Sequence, residues 1–277
     1  MIVSQRFLVR PGSSVDMSAI DANSPGDLGR EKAERKTRKA TERLAKLQYL
    51  LFANAGPSLL IVLQGPDASG KDGLIKHLFA GLNPQGVTVT AFEKPTPIEA
   101  AHDFLWRVHR HTPAKGEIAV FNRSHYEAVL VERVRELVPK REWQARYAMI
   151  NAFEDLLAQN GTRILKFFLH IDADEQLERF RRRLEDKRRQ WKISEDDYAD
   201  RELWPQFVDA NDAMLEKTST PAAPWYGIPS NHKWYRNYAV SKIVVAAMKE
   251  LGHTIPPPSV DIAAIRRKYH AAAHSDA

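Results

Sequence analysis

The sequence predicts an α/β fold, a parallel sheet with helices on both faces. Three observations carry this. Short apolar runs such as Ser58–Gln64 (SLLIVLQ) and Arg163–Ile171 (RILKFFLHI) alternate with helical patterns, as in βαβ units. Ser58–Gln64 leads directly into a glycine-rich turn that opens a helix. Nothing along the 277 residues marks a second hydrophobic core or an internal repeat, and the length suits one large domain.

The elements follow in order. Residues 1–28 mix Pro, Gly, Ser and Asp without a period and read as an irregular arm. From Gly29 to Ala53 the chain is charged and helical, with Ala40, Leu44, Leu47 and Leu51 on one face. A helix starts near Gly70 after the first strand. Val87–Phe92 alternates as a strand, Ile98–His109 carries a helical apolar stripe, and Ile118–Phe121 is a short buried strand. Helical stretches follow near His125–Leu137 and Glu142–Gln159, then the strand Arg163–Ile171. Glu175–Arg189 and Ser194–Lys217 are helical, with Ser194 and Asp197 placed as a variant capping box. Trp225–Ile228 is a strand, His232–Leu251 a helix, and Pro256–Pro258 separate a last helix near Ile262–Tyr269. The organisation is an arm (1–28), one domain (29–252) with a helical excursion at about 174–217, and a tail (253–277).

Composition narrows the chemistry. The absence of Cys excludes a disulfide scaffold, a thiol nucleophile, an iron–sulfur cluster and a Cys-based zinc site. No run of 18 apolar residues is present, so no membrane span is expected. The first residues lack the apolar core of a signal peptide, which makes the cytoplasm the expected location. The net charge of +6 fits an anionic partner, provided the charge is placed to meet one.

Gly65–Asp72 (GPDASGKD) fits G-x-x-x-x-G-K, the phosphate-binding loop. Its turn lets backbone N–H groups of Gly65, Ala68, Ser69 and Gly70 converge on a phosphate, at the positive end of the following helix. Lys71 adds a point charge that can follow the phosphoryl group being transferred. Asp72 stands where Ser or Thr usually binds Mg²⁺. Two readings of it stand: an outer partner of a metal, or the partner of a nearby Lys or Arg. Asp67 sits inside the loop. A carboxylate beside phosphates is repelled unless a cation stands between them, so Asp67 is expected to hold Mg²⁺.

Ile118–Phe121 ends in Asn122-Arg123-Ser124-His125. Asn122 occupies the strand end where phosphate-loop proteins usually carry an acid, and Arg123 is placed to grip phosphate. His125 is read as a packing or hydrogen-bonding residue. Glu178–Lys192 holds eight basic and three acidic residues, as does Arg30–Lys46. Only the former follows the strongest strand, Arg163–Ile171, where phosphate-loop kinases carry a lid, and there Arg179, Arg183 and Lys187 share a helix side. On the acceptor side Lys94 and Arg107 are candidates for a nucleotide's phosphates, with plain surface charge the other reading for Arg107. No Ser-His-Asp set or HExxH pair is evident, and attack by an already ionised phosphate needs no strong base.

GPDASGKDG, FEKPTPIEAAHDFLWRVHRH, VFNRSHYEAVLVERV, QWKISEDDY and PWYGIPSNHKWYRN, in that order, closely resemble the polyphosphate kinase 2 family from about Glu31 to Leu251. The resemblance implies a P-loop kinase fold similar to thymidylate kinases, with a helical lid. It implies Mg²⁺-dependent, reversible phosphoryl transfer between inorganic polyphosphate and adenine or guanine nucleotides. By motif match Asp67 and Lys71 take the loop roles, Asn122 and Arg123 the second-strand roles, and Arg183 and Lys192 basic lid positions. Glu127 falls in the same segment as Asn122 and is a nucleotide-side candidate. The Asn122 form resembles the single-domain branch that phosphorylates ADP and, in some members, AMP. A homo-oligomer is implied, without a nucleic-acid or membrane partner. Two other readings remain open: an ATP-dependent nucleoside monophosphate kinase, and a polyanion-binding module with a degenerate loop.

Overall fold

In chain order the computed structural model comprises α1 (Val3–Phe7), β1 (Leu8–Val9), α2 (Arg30–Asn54), β2 (Ser58–Gln64), α3 (Lys71–Phe79), β3 (Val87–Ala91), α4 (Pro97–Ala100) and α5 (Trp106–His109). Then come β4 (Ile118–Asn122), α6 (Val131–Val134), α7 (Lys140–Gln159), β5 (Thr162–His170), α8 (Ala173–Glu185), α9 (Glu195–Glu202), α10 (Trp204–Thr218), β6 (Trp225–Pro229), α11 (Lys233–Glu250) and α12 (Ile262–Ser275). It describes residues 3–26 and 28–275. The strands form one sheet in the order β3-β4-β2-β5-β6-β1. All neighbours are parallel except β1, which runs antiparallel to β6.

The apolar runs become strands because both faces are covered. β2 is buried at all seven positions. Its Leu59, Ile61 and Leu63 enter the core shared with α2, α3 and α11, while Leu60 and Val62 enter the core shared with α7 and α10. On α2 the face Ala40, Leu44, Leu47 and Leu51 is buried as expected, leaving the Arg30–Lys46 charges mostly on the outer side. The carboxyl ends of β2, β4, β5 and β6 lie along one edge, where ligands of parallel sheets collect. Among the described residues no helix is long and apolar enough to cross a membrane.

The arm is less irregular than its sequence suggests. Residues 3–19 contain α1, β1 and a 3₁₀ turn at Met17–Ala19. They are tied down by the Leu8 and Val9 pairing with β6 and by Met17 N–H on Asp212. A two-residue strand leaves no period to detect.

Several expected helices are shorter, each for a local reason. Ile98–His109 is two single turns. Thr96 and Glu99 form a capping box on α4, and Asp103 then accepts from the N–H groups of Leu105 and Trp106, starting α5. His125–Leu137 is a 3₁₀ turn capped by Ser124, followed by α6. Ser194–Lys217 divides at Leu203, with Pro205 in the first turn of α10. Ser194 is the N-cap of α9, its side chain accepting from Asp196 N–H rather than Asp197 N–H, while the Asp197 carboxyl faces both the Ser194 backbone N–H and Arg183. α8 ends at Glu185 because Asp186 leaves helical backbone and accepts from Arg188 N–H. Lys187 therefore does not share a helix face with Arg179 and Arg183.

One core feature positions the site. Lys166, in the middle of β5, is fully buried and donates to Glu154 (2.6 Å), Tyr126 OH (2.8 Å) and the Thr218 carbonyl (2.6 Å). Glu154 on α7 also accepts from Tyr126 OH (2.8 Å) and lies 3.2 Å from His125 Nε2. His125 is thus a packed, hydrogen-bonded residue, as read from the sequence. The cluster anchors the Ser124–Glu127 turn that follows Arg123. Replacing Lys166 with Met alone strands the Glu154 charge in the core, and a loss of about 3–5 kcal/mol is expected in urea unfolding. Adding Glu154→Leu to Lys166→Met should recover most of that loss; no recovery would show that packing, not charge, is responsible.

Candidate active site

The loop between β2 and α3 takes a shape that its sequence dictates. Gly65 has φ +144°, and a Cβ there would lie 2.6 Å from the Leu169 carbonyl, so only glycine fits. Gly70 has φ +98° and caps α3. Ala68 and Arg123 also adopt positive φ, +63° and +59°, a backbone cost that gathers at functional sites. Ser69 N–H closes the turn on Pro66 O (3.0 Å), while Ser69 Oγ is buried with no hydrogen-bond partner among the described residues.

Lys71 is buried against the loop, its Nζ donating to the carbonyls of Gly65 (2.8 Å) and Pro66 (3.2 Å). Burial, and then the nearby Arg123, pull its ammonium down to about 8, with Asp67, Glu127 and Asp72 offsetting only part of this. Arg123 N–H is fixed on Leu63 O (3.1 Å), and its guanidinium pairs with Asp67 at 2.5 Å. Burial pushes Asp67 up, but Arg123, Lys71 and Arg183 outweigh it and hold this carboxyl below its usual range.

Asp72 accepts from Asn122 Nδ2 (2.8 Å) and Lys192 Nζ (2.7 Å), which is the Lys-pairing alternative raised by the sequence. Arg183 donates to Asp197 (3.1 Å). Three carboxylates thus hold three of the cations expected at the phosphates: Asp67 with Arg123, Asp72 with Lys192, and Asp197 with Arg183. Glu127 accepts from Gln64 Nε2 (3.0 Å), and burial raises it despite Arg123 nearby.

A cavity of about 1530 Å³ opens beside the loop, walled in part by Gly65, Asp67, Lys94, Arg107, Arg123 and Glu127. Ala68, Ser69, Gly70, Lys71, Asp72, Asn122, Arg183 and Lys192 do not line it. Lys94 is exposed at it. Arg107 is neither surface charge nor free. It donates to the Glu93 carbonyl (2.9 Å), lies 3.3 Å from Glu99 and covers the Phe92 ring.

Two residues here escaped their sequence reading. Arg179 is buried, not turned toward a ligand on the lid: Nε donates to Glu175, Nη1 to the Ala68 and Ser69 carbonyls, and Nη2 to those of Ser230 and Asn231. All five of its donors are spent, two on the loop carbonyls, two on the segment after β6 and one on Glu175. Arg236 joins it at the Ser69 carbonyl (3.3 Å). Arg236 falls in a motif recognised above, but nothing in its spacing reveals that it is buried.

Among the described residues no three His, Cys, Asp or Glu side chains gather into a metal cage. A carboxylate, Asp67, beside a phosphate cradle suits Mg²⁺, which is held by one or two carboxylates together with phosphate oxygens and water.

The family described as Polyphosphate kinase 2 (PPK2) matches residues 27–254. The chain belongs to the polyphosphate kinase 2 family. It is an enzyme of that kind, and the fold described above is a P-loop kinase fold. The AMP/ADP-polyphosphate phosphotransferase of Meiothermus ruber is 46% identical over 256 residues, covering 92% of this chain and 96% of that protein. The ADP-polyphosphate phosphotransferase of Rhodopseudomonas palustris is 39% identical over 268 residues, 92% of this chain and 93% of its own length. The crystal structure of polyphosphate kinase 2 from Arthrobacter aurescens TC1 superposes with a TM-score of 0.93 at 38% identity, covering 98% of this chain and 97% of that one.

The lowered Lys71 gives a direct expectation. A Lys71 that meets a polyanion does so in its charged form, and kcat/KM reports the free enzyme. kcat/KM for polyphosphate should be flat near neutral pH and fall by roughly tenfold per pH unit above about pH 8. A plateau extending to pH 10 would show that Lys71 keeps its proton in the free enzyme.

Proposed function

We propose that this enzyme transfers the terminal phosphoryl group of inorganic polyphosphate to a nucleotide, reversibly, making ATP from ADP and ADP from AMP. The observation that carries the reading is the pairing of a strained glycine cradle, holding buried Lys71, with a cavity far larger than one phosphate needs. The two relatives named for ADP and for AMP/ADP, each matched over nearly its full length, support the same acceptors.

The terminal phosphate oxygen of the acceptor attacks the end phosphorus of the chain in line. The bond to the next phosphate's bridging oxygen breaks, and a polyphosphate shorter by one unit leaves. The acceptor phosphate is ionised at neutral pH, so positioning and charge carry the reaction, with no general base. Lys71 turns from the Gly65 and Pro66 carbonyls to the transferred group. Arg123, released from Asp67, grips equatorial oxygens in the plane that a guanidinium favours. Asp67 would then hold Mg²⁺, which when bound neutralises phosphate oxygens. Arg183 and Lys192, freed from Asp197 and Asp72, hold the chain beyond the reacting phosphate, and α8 to α10 act as the lid. Lys94 and Glu127 face the acceptor from the cavity wall.

The test supplies polyphosphate and Mg²⁺ with either ADP or AMP and no ATP. ATP should appear from ADP, and ADP followed by ATP from AMP. No product from either, with ATP-to-AMP transfer intact, would instead make this an ATP-dependent nucleoside monophosphate kinase. Asp67→Asn should cut kcat by about 10²–10⁴-fold, as expected when a main electrostatic group of the transition state is lost. Arg183→Ala should raise KM for polyphosphate and leave KM for the nucleotide unchanged; equal effects on both would remove Arg183 from the polyphosphate path.

A further inference from the structure

The rear of the phosphate loop carries a charge that the protein does not balance. Arg236, on the first turn of α11, is 2% exposed. Nε and Nη2 both donate to Asn237 Oδ1 (3.2 and 2.8 Å), and Nη1 donates to Ser69 O (3.3 Å). Among the described residues no carboxylate pairs with it, and the charged neighbour acting on it is a second cation, Arg179. Burial first, then Arg179, pull Arg236 down to about 10, so it remains charged at neutral pH. An unpaired buried cation opposes folding. Arg179 differs in having Glu175 at 2.7 Å.

The placement of Arg236 is close and specific. A Cβ on Gly70 would run into its guanidinium, and one on Gly73 would lie 3.7 Å from Nη2. It therefore backs the first turn of α3, whose N-terminal end is already positive. Two like charges are repelled there unless an anion lies across the loop. Lys71, on the carbonyls of Gly65 and Pro66 in the same loop, likewise has carbonyls for partners and no carboxylate at ion-pair distance among the described residues. With Ser69 O held from behind by Arg179 and Arg236, the trans peptide turns Gly70 N–H to the opposite side.

We propose that Arg236 is a positioning residue for phosphoryl transfer: its carboxylate-free guanidinium holds the Ser69–Gly70 peptide and supplies fixed positive charge, balanced only when polyphosphate fills the loop. The proposal rests on the polyphosphate reading above. It gives Arg236 an opposite sign in the two states, unfavourable to the free protein and favourable to the complex.

The test compares wild type with Arg236→Met, Arg236→Gln and Arg236→Lys, using tripolyphosphate as the probe. Melting temperature is measured with and without it, together with its Kd by calorimetry and KM for polyphosphate and for ADP. The Met or Gln variant should melt at or above the wild-type temperature without ligand. Its Kd for tripolyphosphate should rise by roughly tenfold or more, as should KM for polyphosphate, while KM for ADP stays constant. Arg236→Lys should restore most of the affinity. If Met and Gln both melt lower and Lys does not rescue binding, Arg236 is only a structural support and the proposal is overturned. Unchanged tripolyphosphate affinity in the Met or Gln variant overturns it equally. Failure of wild type to bind tripolyphosphate is a separate result: it removes the polyphosphate reading itself, and this inference with it.

Discussion

The site depends on cations that are buried before their anion arrives. Lys71 rests on loop carbonyls, and Arg236 lies behind Ser69 and Gly70 with no carboxylate. Three further cations are matched to carboxylates: Arg123 with Asp67, Lys192 with Asp72, and Arg183 with Asp197. Such an arrangement is poor for stability and good for recognising a polyanion. Fixed charges in a partly dry pocket need little reorganisation when phosphate enters.

The rest of the fold serves to hold these charges still. Three parallel strands end together, placing the glycine loop beside the Asn122–Arg123 corner. The Lys166–Glu154–Tyr126 cluster secures the turn after that corner from inside the core. Arg179 binds α8, the loop and the segment after β6 into one unit with a single guanidinium. α8 is therefore fixed to the loop through Arg179. The N-terminal arm extends the sheet and reaches the same cavity through Met17, Ser18 and Ile20.

Much of this was legible in the chain itself, for physical reasons. β2, β4 and β5 are buried on both faces, so their apolar runs had no competing reading. The glycines of the loop sit where backbone geometry or a close carbonyl forbids a side chain, so their spacing survives as a motif. Helix ends were harder. Asp103, Asp186 and Pro205 stop or restart helices through local hydrogen bonds or a missing donor, and these compete with an apolar period that continues past them. The inward role of Arg179 and Arg236 was hidden because burial of an arginine is decided by what other segments bring to it. In Glu178–Lys192 the sequence shows a uniform basic face, yet Arg179 is inside, Arg183 is half-buried and Arg188 is exposed.

The most direct measurement is a crystal structure of the enzyme with tripolyphosphate. The expected result places a terminal phosphate inside the Gly65–Lys71 loop, with Lys71 Nζ moved from the Gly65 and Pro66 carbonyls onto its oxygens and Arg123 parted from Asp67. A tripolyphosphate held elsewhere, with Lys71 still on those two carbonyls, would contradict the idea that the anion completes an unbalanced site.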